Sequence, residues 1–473
     1  MARPLTLFVK PPDPFLEQEF VYQQLAPHYL QAWLDQHGYP SRLAVFHCPR
    51  DADGRRREPR DLTDCHVILI ENEREISDGP FDPALFDDVE LLALSVMTPQ
   101  AEYAGWIAAA ARAARPDVRV MIGGSHARYY LDQVVAQAGD ERADYVVPHD
   151  GWQPLLDVLE AGLPDPGPPR ILSHQQDLAT ITTPPTRPLT LMRRYRYEIA
   201  GLPAFHTVTA LGCPFTCHFC EAGGERTRFF PRAMIDADLA AMAAAHRALG
   251  REHYAVMFFD DVGLLNPRQT RDLAARVAAH GYSAWRAFTH AYLVVRHGAN
   301  LLQPFADTGG RRIGIGIETG SQRSLDLINK RNGKFQSVEE HYEAVRIANG
   351  LGIAVDAFTM IYPWEDESDL ALTTELVEFV VANPVVGEDH LGRPLRNSVD
   401  STIMLPYQGT RFGAMLEANA IPGVRLKSAA RRRDLFYKGV DASSGWVYEH
   451  TVLPRERYLE VQRYRNSLRP SYR

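Results

Sequence analysis

The sequence predicts an α/β protein made of two successive strand-and-helix series: a doubly wound domain, then a partial (β/α)6 barrel, then a small C-terminal domain. Three observations carry this prediction. Short continuous apolar runs alternate with helical segments through both series, the pattern of parallel strands covered on both faces. A stretch dense in proline and polar residues, Pro164 to Pro188, separates the two series. A loop carrying three cysteines follows at once on the first strand of the second series. These features set the expected boundaries at 1–163 for the first domain, 164–200 for a linker, 201–410 for the barrel and 411–473 for a C-terminal tail domain rich in aromatics and arginines.

In the first series the runs Leu5–Val9, Ser41–Phe46, His66–Glu71, Leu91–Val96, Arg119–Ile122 and Tyr145–Val147 read as strands. Phe20–His37 reads as a helix stopped by Gly38, and the alanine-rich Ala101–Arg115 as another. Sheets of this kind bind ligands beyond the carboxyl ends of their strands. In the second series, strands are predicted at Phe205–Leu211, Tyr254–Phe259, Ser283–Phe288, Arg312–Ile317, Ile353–Ile361 and Ser398–Leu405. Six such units in about 200 residues suit a partial barrel with its ligands at the strand ends.

Composition excludes several classes. The 473 residues are 45% hydrophobic and 23% charged, as in an ordinary soluble globular protein, and no stretch approaches a membrane span or a secretory leader. The chain is therefore read as cytosolic. A net charge of −8 argues against a general nucleic-acid binder, and the short runs Arg55–Arg57 and Arg431–Arg433 read as solvated faces. Of five cysteines, Cys48 and Cys65 lie outside the loop and read as buried small hydrophobes in a reducing compartment.

The other three, Cys213, Cys217 and Cys220, form a CxxxCxxC. Three thiolates on one short loop can hold three irons of a cubic [4Fe–4S] cluster and leave the fourth open. Zinc would need four ligands in closed tetrahedral geometry, and the only nearby fourth candidate, His218, sits inside the CxxC. The loop, with Phe219 just before its last cysteine, resembles the signature of the radical S-adenosylmethionine (SAM) superfamily.

That resemblance extends along the second series. Gly314–Ser321 followed by Leu325–Lys330 is similar to the superfamily's fourth-strand motif, and implies that Glu318 and Ser321 contact SAM. Phe258-Phe259-Asp260-Asp261 ends the strand where the superfamily receives the methionyl ammonium, which implies Asp260 or, of the two, Asp261. Met360–Asp366 stands where a glycine-containing turn is usual, but Ile361 and Trp364 replace both glycines. Leu405–Thr410 resembles the sixth-strand motif with Gln408 in place of a proline.

The first series resembles the cobalamin-binding (B12-binding, Rossmann-like) domain that precedes the barrel in one branch of the superfamily. Ser95-Val96-Met97-Thr98, Gly123-Gly124-Ser125-His126-Ala127 and Val146–Gly151 match that domain's loops in order. The resemblance implies cobalamin contacts from Ser95, Thr98, Gly123, Gly124, Ser125 and His126. The axial Asp-x-His-x-x-Gly motif is missing; Asp35-Gln36-His37 begins like it, but Pro40 stands at its glycine. The side chain below cobalt is expected from Glu71, Asn72 or Glu73.

Together these imply a cobalamin-dependent radical SAM enzyme with a [4Fe–4S] cluster, SAM and cobalamin as cofactors. The leading reaction is methylation of an unactivated carbon, or phosphorus, of a small molecule through a 5′-deoxyadenosyl radical and methylcobalamin. An external reductant such as flavodoxin or ferredoxin would supply electrons. Ring contraction or cyclisation by the same branch is an alternative, as is an RNA-modifying enzyme of the methylthiotransferase kind, although that family needs a second three-cysteine cluster. A binding or scaffold protein would have no use for the SAM-side motifs. No residue is assigned a catalytic role; Tyr195, Tyr197, His290, Tyr292, Trp364, Tyr407 and Trp446 are candidates to line a substrate pocket.

Overall fold

A computed structural model describes residues 3–13, 16, 18–49, 59–330, 336–428 and 446–469. The two arginine runs lie outside these residues. Among the described residues, one compact unit holds the chain up to Tyr195 together with Pro231–Ala241, and a second holds Arg196–Phe230 and the chain from Met242 on. No helix of the described residues is long and apolar enough to cross a membrane.

The first unit is an eight-stranded sheet. Its strands are β1 (Thr6–Lys10), β2 (Ser41–His47), β3 (His66–Glu71), β4 (Arg74–Pro80), β5 (Leu91–Ser95), β6 (Arg119–Gly123), β7 (Tyr145–Val147) and β8 (Arg170–Ile171), in the order β4-β3-β2-β1-β5-β6-β7-β8. Five of the six expected strands, β1, β2, β5, β6 and β7, run parallel, and β8 joins them at the edge. One face packs Leu7, Val9, Ala44, Phe46, Leu92, Leu94, Val120 and Ile122 against the helix Ala101–Ala114, and Cys48 and Cys65 are buried in the same apolar cluster. The helix predicted from Phe20 starts at Leu25 and ends at Gln36, with Gly38 left-handed at φ +73° just beyond it. The proline-dense segment read as a linker contributes β8 to the sheet edge and stays with the first unit as far as Tyr195.

One edge departs from the expectation. β3 pairs antiparallel with β2, and β4, absent from the sequence reading, pairs antiparallel with β3. The two are joined by a hairpin turn in which Asn72 and Glu73 take positive φ of 47° and 60°, the conformation of a two-residue hairpin turn. Because β3 runs backwards, Glu71 pairs with Arg42 at the beginning of β2, so the Glu71–Glu73 turn lies at the opposite end of the sheet from the carboxyl ends of β1, β5 and β6. These three residues cannot face a ligand held at those ends.

The second unit is a seven-stranded curled sheet: β9 (Glu198–Ile199), β10 (Leu202–Thr207), β13 (Ala255–Phe258), β14 (Ala284–His290), β15 (Gly310–Glu318), β16 (Ala354–Ile361) and β17 (Ser398–Ile403), in the order β17-β16-β15-β14-β13-β10-β9. The strands from β10 to β17 are parallel, which is the predicted six-stranded half-barrel, and β9 caps its edge antiparallel. A two-stranded ribbon, β11 (Ala210–Leu211) and β12 (Arg228–Phe229), brackets the cysteine loop. The described part of the tail, including the helix Arg455–Ser467, packs Val447, Tyr448, Tyr458 and Val461 into one apolar cluster with Ile361, Tyr362 and Trp364 of the barrel.

The two ends of the barrel strands differ sharply. At their amino ends a cavity of about 450 Å³ is lined by Arg286, Arg312 and Asp356, among others. Its charges are matched within it: Asp356 lies 2.7 Å from Arg286 and also bonds Arg312 and Ser398. Burial alone would raise the Asp356 carboxyl, but the two guanidinium groups hold it well below the usual carboxylate range. The cysteine loop sits at the carboxyl ends.

Candidate active site at the barrel strand ends

The cysteine loop leaves β10 through Thr209 and Ala210, and two adjacent aspartates from the end of β13 hold it there. Asp260 accepts from the Thr209 amide (2.6 Å), the Thr209 hydroxyl (2.6 Å) and the Ala210 amide (3.1 Å). It is 2% exposed, and burial pushes its pKa up to about 6 even though those donors favour the ionised form. With both oxygens committed, Asp260 is a support of the loop, and the expectation that it binds a cofactor is corrected. Asp261 accepts from the Gly212 amide at 2.9 Å but is exposed, so it retains a face toward solvent. Gly212 takes φ +90°, and a Cβ there would come 2.8 Å from the Arg226 carbonyl oxygen of the returning strand.

The far side of the loop is pinned by the segment after β15. The His218 amide donates to the Ile328 carbonyl at 2.9 Å, its Nδ1 lies 2.8 Å from the Leu327 carbonyl, and Asn329 donates to the Thr216 carbonyl and hydroxyl. The loop folds back on itself through Cys220 to Cys217 (3.1 Å) and Gly224 to Phe215 (2.6 Å) backbone bonds. His290, offered as a pocket residue, stacks on Phe215 with ring centroids 4.3 Å apart.

This folding places the three thiols on one loop within electrostatic reach of one another. Burial pushes Cys213 up to about 11 and Cys217 up to about 12, and raises Cys220 as well. Neighbouring charges add to the rise: Cys220 and Asp261 at Cys213, Cys220, Glu318 and Cys213 at Cys217, and Asp261, Glu318 and Glu221 at Cys220; Lys330 opposes it at Cys213 and Cys217. Three neighbouring thiols, one buried and two half-buried, are poorly stabilised as thiolates by protein alone. A cationic metal centre binding thiolate is what such a loop needs, and the donor set suits iron–sulfur chemistry.

Glu318 ends β15 at φ +54°, a left-handed conformation that is costly for a residue with a side chain and that tends to cluster at functional sites. It is 7% exposed, and Lys330, 4% exposed, sits 2.9 Å from its Oε1 and 2.5 Å from the Gly316 carbonyl. A Cβ at Gly316 would lie 2.2 Å from Glu318 Oε1 and 2.8 Å from Lys330 Nζ, so the glycine makes room for this pair. Sequence reading singled out Glu318 but gave Lys330 no role; its position two residues beyond the helix Gln322–Ile328 was the available signal. Ser321 is corrected: it is fully buried, caps that helix by accepting from the Ser324 amide, and donates to Asp369 at 2.5 Å.

The turn after β16 is filled rather than open. Tyr362 and Trp364 are buried and stacked 4.7 Å apart, and Trp364 donates to Ser324. Beside them Glu365 is fully buried under Thr319, and burial pushes it up to about 7. Trp364, Trp446 and Tyr195 are core residues, not pocket walls.

At the carboxyl ends of the first unit's strands the character is different. Val96 donates to the Gly123 carbonyl (2.9 Å) and His126 to the Val96 carbonyl (3.0 Å), which ties the Ser95–Thr98 and Gly123–Ala127 loops together. Gly124 has φ +91°, and a Cβ would fall 2.6 Å from the Val96 carbonyl oxygen, so only glycine fits. His126 is buried, stacks on Tyr130 and lies 3.4 Å from Thr98 Oγ1; burial pushes it down to about 4, so it is neutral.

Residues 207–377 match the Radical SAM superfamily. Over 382 residues the chain is 23% identical to an uncharacterized methyltransferase of Pyrococcus horikoshii, covering 75% of this chain and 77% of that protein. Its fold is similar to that of the cobalamin-dependent SAM radical enzyme OxsB with aqua-cobalamin and SAM bound (TM-score 0.70, 12% identity, 98% of this chain and 66% of that one). It is also similar to the radical SAM methyltransferase TsrM from Kitasatospora setae with cobalamin and a [4Fe–4S] cluster bound (TM-score 0.61, 15% identity, 91% and 81%). This chain thus spans slightly less than two thirds of OxsB, and at such identities the likeness is one of fold. The family match takes in the whole cysteine loop and the strand ending in Glu318, so it is residues 207–377 that carry the likeness to the radical SAM domain, the kind that works with a [4Fe–4S] cluster and SAM.

Proposed function

We propose that the chain is a cobalamin-dependent radical SAM methyltransferase acting on an unactivated carbon, or phosphorus, of a small molecule in the cytoplasm, with an external reductant of the flavodoxin or ferredoxin kind. The observation that carries this reading is the placement of three thiols, one buried and two half-buried, beside the buried Glu318–Lys330 pair at one set of strand ends. Cys213, Cys217 and Cys220 would hold the cluster. Glu318 and the solvent-facing side of Asp261 would receive SAM's ribose hydroxyls and ammonium, since a carboxylate accepts from both. Lys330 fixes Glu318 in its strained conformation. When bound, cluster and SAM supply a carbon radical, and cobalamin supplies the methyl group.

Cobalamin is assigned to the first unit because its interlocked loops present small residues and backbone amides at the ends of parallel strands, where a phosphate-bearing nucleotide tail can approach. Gly124, Thr98 and neutral His126 would line that approach. The methylthiotransferase reading loses support because Cys48 and Cys65, the only spare cysteines, are buried in the core of the sheet.

The test is anaerobic turnover with dithionite, hydroxocobalamin and methyl-deuterated SAM, without added substrate. The reading expects both 5′-deoxyadenosine and S-adenosylhomocysteine, the second from remethylation of cobalt. Deoxyadenosine with no S-adenosylhomocysteine would favour ring contraction or cyclisation instead. Neither product from cluster-loaded protein would sink the proposal.

A further inference from the structure

The antiparallel edge of the first sheet carries a side-chain cluster unrelated to the loops described above. His47 closes β2, His66 opens β3 directly opposite it, and Asp78 lies on β4 two residues from the partner of His66. Directly opposed residues share a face of an antiparallel sheet, and so do residues two apart, so all three side chains project from the same face. One ligand atom from each lies within 4.8 Å of the others, and His47 Nε2 is already 3.7 Å from Asp78 Oδ1. A tetrahedral zinc ion with ligands at about 2.0–2.1 Å holds its donors about 3.4 Å apart, so rotation of side chains closes the remaining gap.

We propose that His47, His66 and Asp78 bind a divalent first-row transition metal of the zinc class, which clips strands β2, β3 and β4 together. Three further observations point the same way. His47 Nε2 is buried and makes no hydrogen bond, although a buried ring nitrogen ordinarily has a partner. Asp78 presents Oδ1 to His47 while Arg194 holds Oδ2 at 2.8 Å, the outer support that metal-bound carboxylates have. Arg194 is in turn bonded to Glu75 at 3.2 Å, and Phe20 stands edge-on to His47 with centroids 5.6 Å apart, closing one side. Two imidazoles and one carboxylate leave a coordination position open to water.

The test uses full-length, cluster-loaded protein, incubated anaerobically with zinc and then gel filtered. One zinc per chain should remain, with two imidazoles and oxygen neighbours in the zinc-edge absorption spectrum. His47→Ala and His66→Ala should each abolish retention. Asp78→Asn, at a partly exposed position that leaves the fold intact, should weaken zinc at least tenfold in competition with a chromophoric chelator. Removing Cys213, Cys217 and Cys220 together should leave the zinc in place. No retained zinc in the wild type, unchanged affinity in Asp78→Asn, or loss of zinc with the three cysteines would each overturn the proposal.

Discussion

The strand ends of the barrel and those of the first sheet solve opposite electrostatic problems. At the barrel, three thiols gather with buried Asp260, exposed Asp261 and the buried pair of Glu318 and Lys330, and burial raises every thiol and pushes Asp260 to about 6. At the first sheet, the loops that meet are neutral: glycines, hydroxyls and a histidine held at about 4. The first arrangement suits a centre that brings its own positive charge. The second suits a large ligand recognised by shape and by backbone donors. Substitutions should therefore act differently at the two places.

The largest effects should come from the cysteines. Cys213→Ala, Cys217→Ala and Cys220→Ala should each abolish the cluster's visible absorbance and the formation of 5′-deoxyadenosine, because three ligands leave none to spare. Cys48→Ser and Cys65→Ser should keep the full iron content. Next comes Lys330→Met, which strands a buried carboxylate. Removing one member of a buried pair costs about 3–5 kcal/mol of folding stability, and with Glu318 no longer held in place, SAM affinity measured by calorimetry on cluster-loaded protein should fall by about a hundredfold. Glu318→Gln, which keeps the shape, should lose about ten- to a hundredfold. Wild-type affinity in both would remove the pair from the site.

Why one region was more legible than the other follows from the same contrast. Cysteine spacing is local, so CxxxCxxC announced its chemistry directly, and six apolar runs announced the half-barrel. Glu318 was visible through its motif. Its partner Lys330 was not, because the contact depends on an empty Gly316 and a left-handed strand end that no periodicity reveals. Asp260 and Ser321 were read as cofactor contacts because polar residues at strand ends look alike in sequence; only burial and committed hydrogen bonds separate a support from a contact. The reversal of β3 escaped notice because a short apolar strand reads the same in either direction, and with it went the expectation for Glu71, Asn72 and Glu73.

A pH series sharpens the barrel side. Asp260 and Glu365 have folded pKa values raised to about 6 and about 7, above those of the unfolded chain, so their protonated forms are the stabilised ones. Stability should be full below about pH 4 with respect to these two groups and decline as pH rises toward 7, by about 3 kcal/mol for each group that ionises. In denaturant titrations between pH 4.5 and 7.5, Asp260→Asn and Glu365→Gln should each flatten that decline. An unchanged slope would mean the carboxyls are not buried as described. The smallest effect is expected from His126→Gln: iron content unchanged, and cobalamin affinity lowered about tenfold or less.

The most direct test of the account is the cofactor content of protein reconstituted anaerobically with iron, sulfide and hydroxocobalamin and then gel filtered. The wild type should hold one four-iron cluster and one corrinoid per chain. Gly124→Val, whose Cβ would collide with the Val96 backbone, should lose corrinoid and keep iron, and Cys217→Ala should lose iron and keep corrinoid. A wild-type protein that carries the cluster but releases all corrinoid on the column would contradict the account.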